Sequence, residues 1–171
     1  MTLTLSTFGQ TTFKKFKEAN TGQISAYADG VMWKRCYSNN YCQDVFRITP
    51  HFKGNKYYLK FEYFSDGSFC SEFSEINDNC SYGAKSCIMY LYIMLDDSEV
   101  LELSSNSYDS ELNNIKFNVT APIIKKLAEA SKLDIKRTVL KQEIYDRFPY
   151  TFKDSEINGF YDFAIGMNII K

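Results

Sequence analysis

The sequence predicts an α+β fold: a mainly antiparallel β meander of about eight strands, curled or folded into two layers, with a helix near 121–131 and a C-terminal helix near 155–169. Three observations carry this expectation. Aromatic residues make up 16% of the 171 residues, with 14 Phe and 13 Tyr, a usage that suits half-buried strands better than helix bundles. Alternating runs separated by turn-forming dipeptides fill the stretch from Gln23 to Phe73. Long helical patterns between the early strands are missing, which excludes a doubly wound parallel sheet.

Taken in chain order, Thr11 to Ala19 reads as a short amphipathic helix with Phe13 and Phe16 on one side and Lys14, Lys15 and Lys17 around it. Gln23–Ala28 and Val31–Tyr37 flank Asp29-Gly30, a strong hairpin cue because glycine accepts the positive φ of a tight turn. Gln43–Thr49 alternates as a third strand and is stopped by Pro50. Lys56–Phe64 and Ser68–Phe73 flank Asp66-Gly67, and a three-residue loop there sets Tyr63 against Phe69 and Lys60 against Glu72. Ser86–Leu95 is apolar without alternation, as in a strand covered on both sides at the centre of the sheet, and Val100–Leu103 returns beside it. After a strand at Ile115–Val119, Thr120 caps a helix to about Ser131 with Pro122 in its first turn and Ile123, Ile124, Leu127 and Ala128 inward. Asp134–Ile144 reads as extended. Asp154 or Ser155 opens the last helix, with Ile157, Phe160, Tyr161, Ala164 and Ile165 as its buried side. Gly159 and Gly166 lie seven apart on that helix, a spacing that lets it approach a sheet closely.

At 19.9 kDa the chain is expected to form a single domain over 1–171. The start lacks a basic segment followed by an apolar block, and the longest apolar run, Cys87–Leu95, has nine residues where a spanning helix needs about 20. Five cysteines are an odd number, which argues for reduced thiols and, with the missing leader, for a cytoplasmic location. Net charge is −1, which argues against a strong nonspecific nucleic-acid binder. Its distribution is uneven: residues 1–60 carry nine Lys or Arg and three acids, 61–115 one and eleven, and 116–171 ten and seven.

Standard catalytic constellations are scarce. A single histidine, His51, limits triads and zinc sites, and in the sequence it follows a strand as a surface or turn residue. Cys36, Cys42, Cys70, Cys80 and Cys87 form no CxxC pair and read as free thiols. Neither GxGxxG nor GxxxxGK[ST] occurs. No cofactor or metal is expected. Asp96, Asp97, Glu99 and Glu102 supply four carboxylates in what also reads as a solvated turn between two apolar strands. Phe52–Tyr63 interleaves Lys53, Lys56 and Lys60 with aromatics, the composition of a single-strand platform, while Tyr57, Leu59, Phe61 and Tyr63 share one face as an ordinary core.

The expected function is a small cytosolic, non-enzymatic protein-binding domain of inhibitor, immunity or accessory type. Its expected partner is another protein, docked on Trp33, Arg35, Tyr37 and Tyr41, which are hot-spot types, and on Asp96, Asp97, Glu99 and Glu102. Its main support is a shared face for the eleven middle acids. The alternative is a small-molecule-binding domain or enzyme with a pocket on the aromatic-rich sheet. A third reading, single-stranded nucleic-acid binding, requires Tyr58 and Phe64 to face outward beside the lysines.

Overall fold

The computed structural model describes residues 13–36, 43–65, 89–105, 108–109, 114–138 and 150–171. Alternation organises the larger sheet. In Lys56–Ser65 (β5), Leu59 and Phe61 are buried while Lys56, Tyr58 and Lys60 point the other way. Gln43–Lys53 (β4) joins it through a two-residue turn in which Gly54 (φ 54°) and Asn55 (φ 75°) are both left-handed. That is the conformation whose twist matches a hairpin, and it sets the register Lys53 opposite Lys56, His51 opposite Tyr58 and Arg47 opposite Glu62. Asn114–Val119 (β9) pairs on the far side of β5, and Tyr108–Asp109 (β8) on the far side of β9.

At the other flank, Lys14–Lys17 (β1) and Ile24–Tyr27 (β2) form an antiparallel pair. The helix expected at 11–19 is therefore a strand. Three-residue spacing shares a face on a helix but opposite faces on a strand: Phe13 packs inward on Phe163, and Phe16 is exposed on the outer side.

The Asp29-Gly30 hairpin is also corrected. Both β2 and Val31–Cys36 (β3) pair with β4 rather than with each other, Tyr27 opposite His51 and Val31 opposite Ile48. Ala28, Asp29 and Gly30 thus oppose Thr49 and Pro50, one residue in excess: a β-bulge in a nearly continuous strand. Gly30 serves close approach there, since a Cβ would stand 1.8 Å from the Ile48 carbonyl oxygen.

Pro50 does not stop β4. Its carbonyl accepts Ala28 N–H at 3.3 Å. In a strand, N and O of one residue project to the same side, so the missing N–H falls at the bulge and no ladder bond is lost. The described strands number eleven, or ten with β2 and β3 counted as one, rather than about eight.

The second sheet has four antiparallel strands in the order β11-β10-β6-β7: Tyr150–Lys153 (β11), Lys132–Thr138 (β10), Met89–Leu95 (β6) and Glu99–Ser105 (β7). β6 is internal to this sheet, and its Leu91, Tyr92 and Ile93 are all buried, as an apolar run without alternation implies. The expected pair around Asp66-Gly67 lies outside the described residues apart from β5, and the extended segment at 134–144 is described only to Thr138.

Ala121–Glu129 (α1) buries Ile124, Leu127 and Ala128, with Thr120 at its N-cap and Pro122 in the first turn. It ends at 129 because Ala130 is extended and leads into β10. The last helix, Asn158–Gly166 (α2), is shorter than 155–169; a 3₁₀ turn at Asp154–Glu156 precedes it. Its core side is Phe160, Phe163 and Ala164, with Ile157 just before it, while Tyr161 and Ile165 are exposed, against expectation. The described architecture is α+β. The inner faces of both sheets and both helices feed one apolar cluster that includes Phe46, Phe61, Leu91, Ile93, Phe117, Ile124, Leu133, Phe160 and Phe163. Among the described residues, both helices and the second sheet contribute to the cluster on the inner side of the larger sheet, and the outer face of that sheet carries a different set of residues.

Candidate functional site

Strand parity decides which residues reach that outer face. With Ile48, Leu59, Phe61 and Phe117 inward, the odd positions of β4 and the even positions of β5 and β9 point out. Register then places Lys14, Tyr27, His51, Tyr58 and Asn118 in one line across β1, β2, β4, β5 and β9. The rings in this line stack. Tyr27 and His51 have centroids 5.7 Å apart at 25°, and His51 and Tyr58 5.1 Å apart at 13°. Lys14 Nζ lies over Tyr27 and Lys116 Nζ over Tyr58, each 5.8 Å from the centroid. By strand order, Lys14 and His51 approach Tyr27 from its two sides, and His51 and Lys116 approach Tyr58 from its two sides. Phe16 meets Tyr27 edge-on at 6.3 Å.

His51 sits inside β4, not after it. Burial first, then the positive field of Lys60, holds its pKa down at about 4, so the ring is neutral at pH 7. Its Nε2 shares a hydrogen bond of 2.9 Å with the Thr49 hydroxyl. Burial likewise raises the Tyr58 phenol.

Rows of lysine flank the rings. Lys53 faces Lys56 on one side, and Lys60 faces Lys116 on the other. Like charges directly opposite destabilise a sheet by a few tenths of a kcal/mol, and two carboxylates temper this. Glu18 pairs with Lys53 at 2.9 Å and accepts from Ser25 at 2.7 Å and from Thr21 at 3.0 Å; led by Lys53, these partners bring its pKa to about 2. Glu62 is buried, which alone raises its pKa, but Lys60 at 2.6 Å and Arg47 at 2.8 Å outweigh burial and lower it. Among the described residues, Lys14, Arg47, Lys53, Lys56, Lys60 and Lys116 share this face with Glu18 and Glu62, an excess of positive charge in a protein whose net charge is −1.

The residues expected to bind a partner are placed differently. Trp33 and Arg35 lie on β3, which pairs along β4; Tyr37 and Tyr41 lie outside the described residues. Asp96 and Asp97, both left-handed (φ 47° and 58°), form the β6–β7 turn. Asp96 accepts from Ser131 N–H at 3.0 Å, Ser131 Oγ at 2.7 Å and Lys132 N–H at 2.9 Å; with Ser131 the strongest influence, its pKa is lowered. Asp97 pairs with Lys132 and Glu99 with Lys126. The turn therefore clips the β6–β7 hairpin to the end of α1. Glu102 is exposed on β7, across from Tyr92. Glu62 is on the other sheet, so the described middle acids do not form a single face, and the expected acidic docking surface loses its support.

No family model, curated protein or solved structure matches the chain.

Among the described residues no group of three or more His, Cys, Asp or Glu is placed to hold a metal ion, and no helix is long and apolar enough to cross a membrane. Cys42, Cys70, Cys80 and Cys87 lie outside them. The ring row was missed in the sequence although its signal was present. Gly54-Asn55 is a two-residue hairpin dipeptide, and counting outward from it brings His51 opposite Tyr58.

Proposed function

We propose that the protein is a non-enzymatic binding module that docks another protein on the outer face of its larger sheet. The observation that carries this is the row Lys14, Tyr27, His51, Tyr58 and Lys116, which crosses five strands with its aromatic groups locked against one another. Tyrosines fixed in this way bind at low conformational cost, since their side-chain freedom is already lost on folding. Exposed Phe16 (48%) and Met32 (57%) extend the same face with apolar surface. In this reading the docking surface is aromatic and charged and lies on the sheet rather than at Asp96–Glu102.

Photo-crosslinking in native lysate tests the reading. A photoreactive residue at exposed position Lys56 or Asn118 is compared with one at exposed Glu129 on α1. The expected outcome is one discrete protein adduct from positions 56 and 118 and none from 129. Equal labelling from all three positions, or labelling from 129 alone, would remove the assignment to this face.

A further inference from the structure

We infer that the edge strand β1 pairs with an extended segment of a partner protein in which acidic residues alternate with apolar ones. This edge is separate from the ring row, and the inference does not rest on the reading above. β1 stands at the end of the larger sheet, with β2 as its neighbour on one side. Hydrogen bonds at the β1–β2 turn fix which of its main-chain groups are in use. Glu18 N–H donates to the Gln23 carbonyl at 2.8 Å and the Glu18 carbonyl accepts from Gly22 N–H at 2.8 Å, so Glu18 turns both groups toward β2. Successive residues of an antiparallel strand alternate in this respect. Phe16 and Lys14 therefore bond to β2, while Lys15 and Lys17 turn N–H and C=O to the free side. Ile24, opposite Lys17, agrees: its carbonyl faces away from β1 and accepts from Gly54 N–H at 3.3 Å.

The side chains define the charge of the segment. All four residues of β1 are exposed, and its lysines stand opposite Tyr27, Ala26 and Ile24, none of them acidic. Glu18, the next residue along, is engaged by Lys53, Ser25 and Thr21. Among the described residues the paired side of β1 thus supplies no counter-charge to Lys15 and Lys17. An antiparallel strand added on the free side, the arrangement of every pairing in this sheet, places residues directly opposite Lys15 and Lys17 with their own N–H and C=O turned to β1. Carboxylates at those positions meet both ammonium groups, and the residue between them meets exposed Phe16 on the other side of the strand. Main-chain bonds supply the affinity of such an added strand and alternate side chains its selectivity. A second copy of β1 fits badly: antiparallel self-pairing sets Lys14 against Lys17 at both ends, and edge lysines keep copies apart. A phosphodiester chain supplies acceptors only and leaves the Lys15 and Lys17 carbonyls unanswered.

The test is a titration of the full-length, ¹⁵N-labelled protein with the peptide acetyl-Gly-Glu-Val-Glu-Val-Gly-amide. The expected result is shifted signals and slowed hydrogen exchange at the Lys15 and Lys17 amides, with little change in exchange at Lys14 and Phe16, which β2 already holds. N-methylation of both glutamates, whose N–H groups face β1 in this pairing, abolishes binding, whereas N-methylation of both valines preserves it. Affinity falls about fivefold in the double variant Lys15→Gln, Lys17→Gln, as two exposed charge contacts predict, and is unchanged in Lys125→Gln, Lys126→Gln on α1. The variant spectra themselves establish that each is folded. No shifts with the peptide, binding by both methylated peptides or by neither, or equal losses in both double variants would overturn the inference. Protection of the β1 amides that grows with protein concentration alone would overturn it in favour of a second copy. Shifts confined to β4, β5 and β9 would overturn it while leaving the outer docking face standing.

Discussion

His51 shows how one side chain can make stability depend on pH. In the unfolded chain the imidazole takes up a proton near 6.5, while in the fold it resists until about 4. Between these values the unfolded state binds more protons, so stability is fully present above about pH 6.5, falls as pH drops toward 4, and levels off below that. The loss is on the order of 3 kcal/mol. In urea unfolding from pH 7 to 4, the His51→Phe protein, which keeps a ring between Tyr27 and Tyr58, is expected to lack this slope. A parallel decline in both proteins would show that other groups cause it. Glu18 has the opposite kind of window: its carboxylate, held to about pKa 2 by Lys53 and its hydroxyl partners, supports the fold above pH 4.5 and ceases to do so as pH falls toward 2. Asp96 contributes through geometry. Asp96→Ala removes the acceptor for three donors and puts alanine at a φ of 47°, so about 2 kcal/mol of stability is expected to be lost in chemical denaturation. Asp96→Asn, which tolerates that φ and keeps an acceptor, loses about half as much.

Among the elements, the contact between α2 and the β2–β3 bulge has the least tolerance. A Cβ on Gly159 would lie 1.7 Å from the Asp29 carbonyl oxygen, which is backbone fixed by the bulge. A Cβ on Gly166 would meet the Phe13 ring at 2.3 Å, a side chain that can turn aside. Gly159→Ala should therefore cost 3 kcal/mol or more, and Gly166→Ala about 1, read as shifts in the denaturation midpoint. Similar losses at both sites would refute the distinction. This contact also shows what the sequence reveals and what it withholds. Elements specified by their own pattern are legible: the alternation of Lys56–Phe64, the unbroken apolar run to Leu95, and the stripe of Ile124, Leu127 and Ala128 after Thr120. Elements defined by a distant neighbour are not. Asp29-Gly30 looks like a hairpin turn because glycine fits one, yet the dipeptide serves a bulge whose existence depends on β4 continuing through Pro50. The acidic turn was legible as a turn, but its attachment to Ser131 and Lys132 comes from residues 35 positions away. The ring row needed the register of four strand pairings at once.

For the molecule as a whole, the charge segregated along the chain is redistributed by folding. The basic first third supplies β1, β2 and β4, and these lie beside β5 and β9 to make one face positive, while the described acids at 96–99 are neutralised against Lys126 and Lys132 at the far hairpin. Association of an acidic partner on the outer face is therefore expected to be accelerated by charge. Raising ionic strength from about 0.05 to 0.5 M should slow the association rate of the partner captured on this face at least tenfold and change its dissociation rate much less. A salt effect confined to dissociation would contradict this. Because the sequence contains one histidine and that residue stands at the middle of the ring row, its carbon-bound ring protons lie within the magnetic shielding of two phenol rings. They would give two isolated NMR lines, displaced from ordinary imidazole positions. A tilt of Tyr27 or Tyr58 alters that shielding, so occupation of either end of the row reaches the same two lines, and the protein carries its own reporter at the centre of the surface proposed for its partner.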